Sequence, residues 1–165
     1  MKKMAWPLAV VFSLGVLSGA LMAGVFQNRA GGVAIWLPDD WEIDNDEEEG
    51  AVYADAPAGD AYCALQVLPG TDSLAAALKI FADILSEEMD DVAVTRQASP
   101  GALNGMKTMR LAGTGRRDEE TWSVDVLLID SGKAVLMCSL GWERDPQGTF
   151  AALRDKVFQS IQKLD

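Results

Sequence analysis

Histidine is absent from this chain of 165 residues. With it go the commonest neutral-pH base and the commonest transition-metal ligand. Ser-His-Asp and Cys-His nucleophilic arrangements are excluded. A zinc site would have to be assembled from carboxylates and two cysteines, Cys63 and Cys138. Basic residues are also scarce: 14 Lys and Arg stand against 25 Asp and Glu, a net charge of -11. Such a surface repels phosphate backbones, so nucleic acid is not an expected partner. Peripheral binding to anionic lipid is disfavoured for the same reason. A basic partner or a cation remains compatible. Phosphate loops are missing too: Gly113-Thr114-Gly115 runs into Arg116-Arg117, without the Lys-Ser/Thr signature. No cofactor motif is present, and no cofactor is expected.

What the sequence does have begins at its N-terminus. Lys2 and Lys3 precede an uncharged stretch from Met4 to Phe26. A positive start, an apolar run over Leu8–Leu17 and the small residues Ser18 and Ala20 have the form of a signal peptide cleaved after Ala20, with Ala23 as a second site. The same stretch is long enough to remain as a membrane anchor. Either way the remainder is expected in the periplasm or cell envelope of a bacterium, and any membrane association runs through this segment alone. No cysteine stands near the cleavage region, which disfavours a lipoprotein. The expected organisation is a signal or anchor over residues 1–23, a linker over 24–32 and a single domain over 33–165.

The domain reads as strands, a helix, more strands and a last helix. Val33–Leu37 and Trp41–Ile43 are short strands around a Pro38-Asp39-Asp40 turn. Asp44 to Gly50 is an acidic loop that could gather Ca²⁺, although it lacks the glycine and late glutamate of an EF-hand; a solvated turn is the simpler reading. Over 61–68, Ala61, Cys63, Leu65 and Val67 alternate with Tyr62, Ala64, Gln66 and Leu68. Leu74, Leu78, Phe81 and Leu85 recur at helical spacing, with Asp72 and Ser73 as capping acceptors. The acidic end of that helix opposes the dipole, so it frays or seeks a cation. Val92–Gln97 could begin a strand, while Pro100-Gly101 and Asn104-Gly105 punctuate. Met106–Ala112 is a strand, and Trp122–Ile129 is joined to Ala134–Leu140 by a Ser131-Gly132 hairpin loop. Asp145 as cap and Pro146 at the first helical position predict a last helix carrying Phe150, Leu153, Val157, Ile161 and Leu164. This order predicts an α+β domain, a layered α/β/α sandwich around a largely antiparallel sheet.

Leu37-Pro38-Asp39-Asp40-Trp41 resembles the opening L-P-x-x-W strand of the Mog1/PsbP-like superfamily. The resemblance continues through a helix from Ser73-Leu74, a glycine-bearing entry near Gly105, a strand-turn-strand at Gly132-Lys133 and a final Val157-x-x-Ser160-Ile161. It covers roughly residues 33–164 and rests on the order of elements. The superfamily includes DcrB-like and other small exported bacterial proteins. The resemblance implies a binding or assembly role with a protein partner and no catalytic activity.

Candidate site residues follow by type. Aromatics anchor partners as well as fill cores. Trp41 and Trp122 are expected in the core, and Trp142, just before the Glu143-Arg144-Asp145 loop, at the surface. Arg116 and Arg117, with Arg110, form the one basic cluster of note; Glu47, Glu48 and Glu49 mark the acidic loop. Together with Trp142 they are the candidate partner surface. Asp125 alternates with Ser123 onto the expected outer face. Cys63 and Cys138 either form a disulfide, as exported proteins allow, or remain buried thiols. The leading functional expectation is an exported, non-catalytic protein-binding domain. A small-ligand or cation-binding domain is the second. A carboxylate-based hydrolase would need two carboxylates facing across a cleft, which no spacing here demands.

Overall fold

The computed structural model describes residues 24–143, 145 and 148–164. Its strands are β1 (Val25–Asn28), β2 (Val33–Trp36), β3 (Glu42–Asp46), β4 (Ala51–Asp55), β5 (Ala61–Val67), β6 (Asp90–Leu103), β7 (Met106–Arg117), β8 (Glu120–Asp130), β9 (Val135–Trp142) and β10 (Gln162–Lys163). The helices are α1 (Leu74–Glu88) and α2 (Thr149–Ser160). Seven strands form one antiparallel sheet in the order β3-β4-β5-β9-β8-β7-β6. A small second sheet has the order β1-β2-β10. The expected α+β layering is therefore observed, with the small sheet beside α2.

Alternation divides the large sheet into two cores. Cys63, Leu65, Leu127, Ile129, Leu136, Cys138 and Leu140 point to one face, where β2 and α2 bring Val33, Ile35, Val157, Phe158 and Ile161. Val124, Val126, Leu128 and Met137 point to the other, under Ala77, Phe81 and Leu85 of α1. β9 is buried at every position because both of its faces are covered. Each large aliphatic side chain removed from water here contributes about 1.5–3 kcal/mol.

The motif residues act at the joints. Leu37 and Trp41 both enter the α2-side core, and the turn between them closes with Trp41 N–H donating to the Pro38 carbonyl (3.3 Å). The Ser160 hydroxyl donates to the Val157 carbonyl (2.6 Å) and accepts the Trp36 N–H (2.9 Å), stitching the end of α2 to β2. Asn104 donates from its side chain to the Ile161 carbonyl (2.7 Å).

Several local expectations are corrected. Residues 25–28, expected within a linker, form strand β1 along β2. Buried Asn28 fixes it by donating to the Gly50 carbonyl (2.6 Å) and accepting the Gly31 N–H (2.8 Å). β6 does not stop at Pro100-Gly101 but runs on to Leu103. It is an edge strand, where a proline costs little. It turns into β7 through Asn104 and Gly105, whose positive φ angles (48° and 80°) suit a two-residue hairpin. The β8–β9 loop is shifted one residue, to Gly132-Lys133, because Ser131 N–H still bonds to the Ala134 carbonyl (3.1 Å). α2 starts at Thr149, later than expected, with Gly148 and not Asp145 at the N-cap position; Asp145 accepts the Ala151 N–H (2.9 Å) from outside the helix. Pro146 and the 1–23 segment lie outside the described residues.

Candidate functional site

On the α1 side, the large sheet is only half covered. Ser73 caps α1 by accepting the Ala76 N–H, and the helix lies across β6, β7, β8 and β9. The β4 and β5 part of that face is left open as a cleft of about 850 Å³. Phe81, Ile84 and Leu85 form its helical wall, and Ala64, Ser139 and Met137 lie along the sheet. The register sets the rest: Tyr62 lies beside Asp55, and Ala64 beside Tyr53. Asp55 is paired in turn with Glu42, and Tyr53 with Asp44. The open face thus grades from apolar under α1 to carboxylate at the β3 edge.

Aromatics line the mouth. The rings of Tyr62 and Trp122 are 6.0 Å apart at 37°. Gly141, directly opposite Tyr62 on β9, makes this possible, because a Cβ there would overlap the tyrosine ring. Arg117, at the β7–β8 hairpin, places its guanidinium carbon 5.9 Å from the centre of the Trp122 ring, with Asp118 Oδ2 3.9 Å from its Nε. Asp55 is raised above the ordinary aspartate value, by loss of solvent first and by Glu42 second, against the lowering pull of Arg117. Tyr53 is raised by burial and then by the charges of Glu49, Asp46 and Asp44; its hydroxyl bonds Gln66 Oε1 (3.3 Å). The cleft can hold an apolar or aromatic body and favours positive charge at its rim.

The sequence-derived candidates divide between this cleft and other places. Glu49 and Arg117 line it. Glu47 and Glu48 are exposed on the β3–β4 turn, where Asp46 Oδ1 accepts the Glu48 and Glu49 N–H groups (3.0 Å each). Arg116 points away and meets Asp91 just past α1 (3.6 Å), supplying the cation that its acidic end seeks. Trp142 is corrected: at 9% exposure it is part of the α2-side core, and Trp122 is the tryptophan at the cleft. Of the two cysteine readings, the structure has the buried thiols. Cys63 and Cys138 are free and buried, opposite Leu140 and Leu65 respectively, hence diagonal neighbours rather than a facing pair. A hydrogen bond to Cys63 and complete burial push the Cys138 thiol well above its ordinary range. Sequence reasoning missed Tyr62, Tyr53 and Asp55. Their signal was the Tyr62-Ala64-Gln66 face of β5, too polar for a closed core.

Asp125, expected outside, is buried beneath α2. Arg110 binds it through two nitrogens (3.1 and 3.3 Å), and Arg154 reaches the same carboxylate (2.8 Å). Both arginines also bond to Asp155 (3.1–3.2 Å). Burial alone would lower the Arg110 pKa, but its bonds and charge contacts with Asp125 and Asp155 raise it. Two cations and two anions close on one another, so this cluster fastens α2 to the sheet. Among the described residues, no group of three or more acidic or cysteine side chains gathers as a metal site, and no helix is long and apolar enough to cross a membrane.

No family model matches the sequence, and no curated protein matches it. Solved structures do match in fold. The solution structure of cyanobacterial PsbP (CyanoP) from Synechocystis sp. PCC 6803 aligns with a TM-score of 0.62 at 15% identity, covering 91% of this chain and 98% of that one. The Ran-binding protein Mog1p of Saccharomyces cerevisiae aligns at 0.58 and 11% identity, over 88% of this chain and 97% of that one. LpqN, involved in cell envelope biogenesis of Mycobacterium tuberculosis, aligns at 0.52 and 16% identity, over 81% and 83%. At such identities the likeness is one of architecture, and by it the chain has the Mog1/PsbP-like fold.

Proposed function

We propose that this chain is an exported, non-catalytic binding domain whose protein partner docks in the cleft between α1 and the open half of the sheet. One observation carries the reading: on the α1 side the sheet is left bare over β4 and β5, with Tyr62 and Trp122 at the mouth of the resulting cleft and carboxylates on its rim. Aromatic anchors inside a polar rim are the usual anatomy of a docking surface. The chain supplies no histidine for catalysis. Mog1p is Ran-binding and LpqN is involved in envelope biogenesis, so a binding role has precedent on this fold. Export rests on Lys2, Lys3 and the apolar stretch that follows. A small ligand is the second reading, favoured by a cleft volume within the range of ligand pockets.

The test uses the full chain in cells, with a photo-reactive residue at Tyr53 in the cleft or at Val94 on the β6 edge. A discrete protein adduct from position 53, absent from position 94, is the expected result. Identical adducts from both positions, or none from 53, would overturn the docking reading, and a small-molecule adduct at 53 would favour the second one. Fractionation with an intact-mass measurement tests export: a shortened soluble periplasmic species or a full-length membrane-held species fits, and a full-length cytoplasmic one does not.

A further inference from the structure

The cleft already contains a cation of its own. Arg117 lies over Trp122, its charge acts on Asp55, and its ion pair with Asp118 is loose at 3.9 Å. The Arg117 side chain is 40% exposed, and its guanidinium is held by an aromatic face rather than by a tight carboxylate fork. Around it the rim is acidic. Glu42, Asp44 and Asp46 alternate onto the open face of edge strand β3, beside Asp55, Tyr53 and Ala51 of β4. Alternate residues of a strand repeat about every 6.8 Å, a spacing that an extended peptide shares. The α1 wall of Phe81, Ile84 and Leu85 offers apolar contact along the same groove. Charge and shape therefore select the same occupant, cationic at alternate positions and apolar between them.

We propose that the cleft takes an extended, arginine-bearing and apolar-flanked segment of a partner protein, with one partner guanidinium seated on Trp122, beside Tyr62, where Arg117 now lies. This rests on the docking reading above and names its chemistry. Arg117 acts as a displaceable stand-in: it satisfies the aromatic face when the cleft is empty and swings toward solvent when a partner arrives. A guanidinium suits this place better than an ammonium because its plane stacks on aromatic rings.

The experiment is calorimetric titration of the folded protein with a capped Leu-Arg-Leu-Arg-Leu peptide. A citrulline version has the same shape without the charge, and a Glu version reverses it. The arginine peptide is expected to bind, the citrulline peptide at least about threefold more weakly, in line with a cation–π contribution at a partly exposed site, and the Glu peptide not at all. Arg117→Ala is expected to tighten the arginine peptide by about threefold by the same reasoning, and Asp55→Asn to weaken it. Asp55 is exposed and the Arg117 side chain is only half-buried, so both variants should fold. Equal binding of the arginine and citrulline peptides, or weaker binding by Arg117→Ala, overturns the proposal. If position 53 still yields a protein adduct in cells while the arginine peptide fails to bind, the docking reading stands and this one falls.

Discussion

Replacing Asp125 with alanine tests whether the charged cluster under α2 holds the fold. The Asp125 side chain is 3% exposed and receives three charge-assisted hydrogen bonds. Removing it leaves Arg110 and Arg154 beneath the helix with one shared carboxylate, Asp155. Breaking a buried ion pair from one side costs about 3–5 kcal/mol. Here the Arg110 and Arg154 side chains keep 28% and 16% exposure and still reach Asp155, which places the cost at the low end, about 3 kcal/mol. That is a large share of a domain stability of roughly 5–15 kcal/mol and corresponds to a Tm drop on the order of 10 °C. Urea unfolding followed by circular dichroism measures it. Asp155→Ala is the comparison: Asp155 is 45% exposed, and its loss should cost under about 1 kcal/mol. Equal effects of the two substitutions would refute the argument, since it rests on burial and not on the number of bonds.

Two aspartates should report opposite signs of pH dependence. Asp155 is held below its ordinary range, by its hydrogen bond with Arg154 first, so its stabilisation is present at neutral pH and lost as pH falls through its folded value. Asp55 is raised, so Asp55→Asn should be more stable than the parent at neutral pH, with the gain fading in acid where Asp55 protonates; thermal melts across that range check both. Gly141→Ala should drive the Tyr62 ring off β9, costing about 1–3 kcal/mol and altering the near-ultraviolet dichroism of the Tyr62–Trp122 pair. Cys63 and Cys138 should resist a water-soluble thiol reagent in the folded protein and react at once in denaturant, because both are buried.

Much of the fold was legible because the central strands alternate and the helices carry broad apolar stripes. The two sets read along residues 61–68 are the two faces observed. Alternation says which residues share a side, but not what covers that side. For this reason alternation puts Asp125 on an outer face, although α2 lies over it. The tryptophans went wrong likewise: Trp142 falls on the face closed by α2 and the small sheet, and Trp122 on the face that α1 covers in part. β6 was legible only at its start, since an edge strand exposed along its length carries no burial pattern to find. The cleft was invisible for a related reason. It exists because α1 stops short of β4 and β5, a matter of where a helix comes to rest that no local spacing encodes.

The stitch between Ser160 and Trp36 also sets an order of events in time. The hydroxyl that accepts the Trp36 N–H stands 124 residues further along the chain, and Gln162 pairs with Ala34 across a similar distance. Contacts of such separation form late, because a long loop must close before they return any free energy. At translation rates of about 5–20 residues per second, the Val33–Trp36 strand waits on the order of ten seconds for its second neighbour even to be made. During that interval Val33, Ile35 and Leu37, fully enclosed in the finished protein, lack the α2 residues that enclose them. Whatever machinery receives the nascent chain meets an unfinished apolar edge near the front of the domain, and that edge is sealed only when α2 and β10 arrive.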